Sequence, residues 1–116
     1  MAAHAGVALK EMNGRFSTFA KATSQVFGAF RSLTDSHPRT VCFQRALRNW
    51  WAVAIAVNQG CEDCIVFHLA NASKHGASRQ ELVEVLGVAV EMGGGPGSVY
   101  AAKALAAFDD MASTSG

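Results

Sequence analysis

Charge is scarce in this chain. Only 16% of its 116 residues are Asp, Glu, Lys or Arg, and the formal net charge is +1. No run of basic residues extends beyond a pair. A protein that grips a phosphate backbone needs several clustered cations, so nucleic-acid binding is disfavoured. Long apolar runs are missing too. The longest, Trp50 to Val57, is far short of the roughly 20 residues a membrane span requires. The N-terminus lacks the charged-then-apolar-then-small order of a secretory signal, which places the expected location in the cytoplasm. Strand-like alternation, internal repeats and an interdomain linker are all lacking. With half of the residues hydrophobic, these absences leave one all-α domain over residues 1–116, a bundle of about five to six helices. So little charge on so small a domain also implies apolar surface covered by further copies of the chain.

The helical periods can be placed. Leu9, Met12, Phe16, Phe19, Val26, Phe30 and Leu33 recur at helical spacing, with Thr23 in the one gap, and predict a long first helix over residues 8–31. Pro38 suits the start of a second, running over 40–58. That helix is polar on one side at first (Gln44, Arg45, Arg48, Asn49) and apolar all round from Trp50 to Val57, so it should enter the core or an interface. A third helix should start near Cys61 and end at His75-Gly76, with the glycine as a left-handed cap. Ser78-Arg79-Gln80-Glu81 is a capping box that opens a fourth helix over 79–92. Gly93 to Gly97 reads as a turn, followed by a small-faced, alanine-rich last helix over 98–112 and a disordered tail over 113–116.

What chemistry there is gathers in Cys61-Glu62-Asp63-Cys64 and His68. On a helix, positions i, i+3 and i+7 share a face, so the two thiols and the imidazole form one stripe. A helix start supplies free N–H groups and the positive end of the dipole, both favourable to a thiolate. His68, one turn past Cys64, can take the thiol proton. Two thiols at this spacing can close a disulfide, and a sulfenic acid on one can condense with the other. Structural zinc is the competing use of such a pair, with His75 as a strained fourth ligand and Cys42 on another element. A c-type haem would need His directly after the second Cys, where Ile65 stands. His4 and His37 read as solvated, Cys42 as a small core residue, and Trp50 and Trp51 as core or interface anchors.

Residues 52–108 resemble the alkylhydroperoxidase D-like branch of the carboxymuconolactone decarboxylase family. The resemblance runs through Ala-Val-Ala-Ile-Ala-Val-Asn-Gln-Gly-Cys-Glu-Asp-Cys-Ile-Val-Phe-His, then Ala72, Gly76-Ala77-Ser78, Glu81 and Glu84. It continues through Met92-Gly93-Gly94-Gly95-Pro96 and Tyr100-Ala101-Ala102. It implies an all-helical fold, with a motif-bearing core over about 40–112, assembling as homotrimers or homohexamers. It also implies a thiol peroxidase that reduces organic hydroperoxides, with Cys64 as the peroxidatic thiol, Cys61 as the resolving thiol and His68 in the proton relay. A dihydrolipoyl protein or another dithiol would restore the pair, and neither metal nor flavin would be needed. One position departs from the pattern. The family relay places a Glu twelve residues before the first Cys, and here that position is Asn49. No Asp or Glu occurs between Asp35 and Glu62. An amide hydrogen-bonds but cannot carry a proton at neutral pH. The resemblance therefore leaves two further readings open, a redox sensor that lacks turnover and a decarboxylase-like lyase.

Overall fold

The computed structural model describes residues 5–35 and 43–115. Among them it contains helices and no strands: α1 (Ala5–Ala22), α2 (Ser24–Asp35), α3 (Arg45–Gln59), α4 (Glu62–Lys74) and α5 (Arg79–Ser115). The all-α expectation holds. His4, His37, Pro38 and Cys42 lie outside the described residues.

The expected single first helix is two. It breaks at Thr23, the one gap in its apolar period. There the Thr23 hydroxyl donates to the Phe19 carbonyl at 3.0 Å, while the backbone bonds from Thr23 N–H to Phe19 and from Phe27 N–H to Thr23 carry on across the junction. The chain bends there, and Phe27 meets Phe16 and Phe19, with ring centroids 5.8 and 6.1 Å apart.

The core lies where α3, α4 and α5 meet. Trp50, Val53 and Val57 of α3 pack with Ile65 and Leu69 of α4 and with Leu82, Leu86 and Phe108 of α5, all buried. Burying a side chain of this size contributes about 1.5–3 kcal/mol. Ala101, Ala104 and Ala107 complete the face, and their small side chains let the backbones come close. Trp50 anchors this core, its ring 6.4 Å from that of Phe108. Trp51 points the other way, is 44% exposed and stacks edge-on against Phe43.

The capping box forms as its sequence implies. The Ser78 amide donates to the Glu81 carboxylate at 2.7 Å, and the Glu81 amide to the Ser78 hydroxyl at 3.2 Å. The glycine run breaks α5 into two helical stretches, as expected, with the kink at Gly94, whose φ of 66° and ψ of −144° are non-helical. Pro96 falls in the first turn of the resumed helix, where a missing N–H costs little. Gly93 and Gly97 allow the close approach of α3, since a Cβ on either would run into the Asn58 side chain. Helix α5 also continues through residues 113–115, which were expected to be disordered. The Ser113 and Thr114 hydroxyls donate to the Asp110 carbonyl there.

Candidate functional site

The thiol pair sits at the junction of α3 and α4, and the backbone explains its place. Gly60 ends α3 in the left-handed region, at φ 67°. Its N–H bonds to the Val57 carbonyl, and the Cys61 N–H bonds to the Ala56 carbonyl at 3.0 Å. This pair of bonds is the Schellman arrangement, which turns the chain sharply at the end of a helix. Cys61 is thereby delivered as the N-cap of α4, where its sulfur accepts the Cys64 N–H at 3.3 Å. The expectation that the third helix starts at Cys61 is met within one residue.

Cys61 and Cys64 are joined in a disulfide, with their Cα atoms 5.3 Å apart. The two sulfurs are not equivalent in access, since Cys64 is exposed and Cys61 half-buried. His68 lies one turn further on, half-buried, with its ring edge-on to Phe67. Among the described residues it bonds to neither sulfur. Its partner is Asn49 on α3, with His68 Nδ1 3.1 Å from Asn49 Oδ1.

That contact fixes the chemistry of the ring. The Asn49 amide nitrogen donates to the Arg45 carbonyl at 3.0 Å, which orients Oδ1 toward the histidine. An amide oxygen can only accept, so His68 Nδ1 carries the proton and Nε2 keeps its lone pair. Burial lowers the His68 pKa below 6.5, and Asn49 brings no charge to raise it again. The imidazole is therefore neutral at neutral pH, a base with its acceptor nitrogen unspent. Asn49 stands where the sequence placed the relay position, but it orients the ring and carries no proton.

Two further residues border the pair, and neither was singled out in the sequence. Arg15 of α1 bonds to the Asp63 carboxylate. Lys103 of α5 bonds to Glu62 Oε1 at 2.8 Å and lies 5.1 Å from the centre of the Tyr100 ring. The Tyr100 ring in turn covers Gly60, where a Cβ would come within 3.2 Å of it. Lys103 had one signal in the sequence, being the only basic residue after Arg79. Arg15 had none.

Other expected residues lie apart. His75 Nδ1 is 2.8 Å from the Asn71 carbonyl at the far end of α4. Among the described residues, no group of three or more His, Cys, Asp or Glu is placed to hold a metal ion. A shallow, mostly apolar concavity of about 410 Å³ lies between the ends of α1, α4 and α5, lined by Leu9, Ala70, Phe108 and Met111 among others. It is at the opposite end of α4 from the thiols, and the polar side chains that line it are the Ser73 and Thr114 hydroxyls.

The sequence profile of the carboxymuconolactone decarboxylase family matches residues 43–107, more than half of the chain and the whole of this junction. The chain belongs to that family. A carboxymuconolactone decarboxylase family protein from Legionella pneumophila, solved in its apo form, is 35% identical. It superposes with a TM-score of 0.85 over 91% of this chain and 95% of its own. An uncharacterized protein of Cupriavidus necator is 42% identical over 103 residues, covering 89% of this chain and 91% of the relative. Protein 4 of the cox locus of Paracoccus denitrificans is 26% identical over 107 residues, covering 92% and 96%. Family membership thus extends beyond the profile match, since the structural likeness takes in the leading helices as well. As for membranes, no helix among the described residues is long and apolar enough to cross one.

Proposed function

We propose that this family member is a thiol-dependent peroxidase of the alkylhydroperoxidase D-like branch, cycling between the Cys61/Cys64 dithiol and disulfide. The observation that carries the reading is the asymmetry of the pair. The exposed sulfur, Cys64, is one turn from a neutral imidazole, while the half-buried one, Cys61, is already within bonding distance of it.

In the reduced protein, His68 Nε2 takes the Cys64 thiol proton. The thiolate attacks the terminal peroxide oxygen, the O–O bond breaks and an S–O bond forms. The departing alkoxide takes the proton back from His68 and leaves as the alcohol. Cys61 then attacks the Cys64 sulfur. The S–S bond forms, hydroxide departs, and with the Cys61 proton it becomes water. A dithiol reductant, a lipoyl-bearing protein or a small dithiol, returns two electrons and two protons by thiol–disulfide exchange. No metal or flavin enters these steps. A cytoplasmic homotrimer or homohexamer remains part of this proposal.

The test is consumption of cumene hydroperoxide in the presence of a dithiol. Cys64→Ser should reduce the rate at least a hundredfold, to the uncatalysed background. Equal rates in the two proteins would remove the reading. Asn49→Glu supplies the missing carboxylate. It should raise the His68 pKa, followed by NMR titration, and increase turnover. A fall in turnover with the fold intact would show that an orienting amide serves this site better.

Asn49 also favours a second reading, a redox sensor. Such a protein would form its disulfide once per equivalent of peroxide and then stop, even with reductant in excess. Free-thiol counts over repeated additions of peroxide separate the two. If hydroperoxide leaves the thiols untouched, a lyase activity on a small cyclic acid becomes the reading to pursue.

A further inference from the structure

We propose that Arg15 and Lys103 are positioning residues that neutralise the two carboxylates between the cysteines and so make the Cys64 thiol more acidic. The proposal rests on the reading that Cys64 works as a thiolate.

The two residues inside the C-x-x-C segment are both acidic, Glu62 and Asp63. In the first turn of α4 they suit the helix dipole. They also place two negative charges beside the sulfur that must become an anion, and like charge disfavours ionisation. Each is met by a cation from a different helix. Arg15 reaches Asp63 from α1, 48 residues away in sequence, and Lys103 reaches Glu62 from α5, 41 residues away. The four formal charges sum to zero around the turn. Lys103 is also held over the face of Tyr100, and Tyr100 packs on Gly60, the residue before Cys61. The cation is therefore fixed to the same turn that presents the thiols.

The two groups that pair beside the thiols, His68 and Asn49, do not supply this balance. From α4 itself comes His68, neutral by burial. From α3 comes Asn49, uncharged, whose amide is committed to His68 and the Arg45 carbonyl. Arg45 and Arg48 lie on that same helix, within one turn of Asn49. The disulfide carries no charge, so the ion pairs leave it unaffected and act on the reduced protein. All four side chains are 42–59% exposed, which keeps the effect moderate and makes it sensitive to salt.

The experiment measures the pH dependence of iodoacetamide alkylation of Cys64 in a Cys42→Ser/Cys61→Ser background. Serine keeps an N-cap at position 61, and Cys64 is then the single thiol. Arg15→Gln and Lys103→Met should each raise the alkylation midpoint by about half a pKa unit at low salt. At pH 7 that is a roughly threefold slower reaction. In 1 M salt the difference should shrink toward zero. The decisive variants are Arg15→Gln/Asp63→Asn and Lys103→Met/Glu62→Gln, in which cation and carboxylate leave together. They should return the midpoint toward the parent value. A bridge that served only to hold the fold would leave the double variants as shifted as the single ones. That result, or unchanged midpoints in both single variants, overturns the proposal. No peroxide is present, so failure here leaves the peroxidase reading standing. An unreactive peroxidase with shifted midpoints would sink only that reading.

Discussion

Helices α2 and α3 are both amphipathic, both rich in Val, Phe or Trp, and of similar length. They meet different fates. α3 buries Trp50, Val53, Ala56 and Val57, whereas α2 buries none of its described side chains and leaves Val26, Phe30 and Leu33 more than half exposed. The cause is the company each keeps. α3 lies between α4 and α5, while α2 packs against α1 and, among the described residues, against no other helix. Apolar content therefore does not decide burial; a complementary face on a neighbour does. The same contrast separates chemistry from scaffold. The proposed redox residues lie at the α3–α4 junction, and α1 and α5 contribute Arg15 and Lys103 to it through ion pairs.

The sharpest way to break this comparison is to make one substitution in both places. Val53→Ala should cost about 2 kcal/mol in chemical denaturation, through lost burial and the cavity left behind. Val26→Ala should fall within about 0.5 kcal/mol of zero, because Ala is the better helix former at an exposed position. A comparable loss at Val26 would mean that another chain covers α2 in solution. A second test separates packing from backbone within the body. Gly94→Ala meets no neighbouring atom, so its cost is conformational alone. At φ 66° and ψ −144° that cost should be about 1–2 kcal/mol. A neutral result would mean that the break in α5 relaxes into regular helix.

The smallest effect concerns His68 and pH. Its folded-state pKa lies below 6.5, so between the two values the unfolded chain binds more protons and stability rises with pH. The contribution is complete above pH 6.5 and is lost as pH falls through the folded value. Thermal melts should show stability declining from pH 7 toward 5, and His68→Gln should flatten that slope. An unchanged slope would mean that His68 is already open to solvent.

What was legible in the sequence was local. The capping box at Ser78 and Glu81, the glycine stop at Gly76, and the N-terminal seat of Cys61 each depend on a few consecutive residues, and each is found. The break at the glycine run was legible for the same reason, and a single positive φ at Gly94 makes it. That Asn58 fills the room left by Gly93 and Gly97 was not legible. The break at Thr23 was hidden because the apolar period runs straight through it. At the site, position 49 could be marked only through the family pattern. Its contact with His68 spans 19 residues. Arg15 and Lys103 were illegible for the same reason, since no short-range period connects residue 15 to 63 or 103 to 62.

The disulfide has one more consequence. It closes within a single turn of a single helix, so it fastens no helix to another. The links that join α1 and α5 to this turn are ion pairs, which neither oxidation nor reduction severs. The bond can open and close as a self-contained latch while the scaffold around it stays assembled. On the proposed cycle, opening the bond would sever no link between helices.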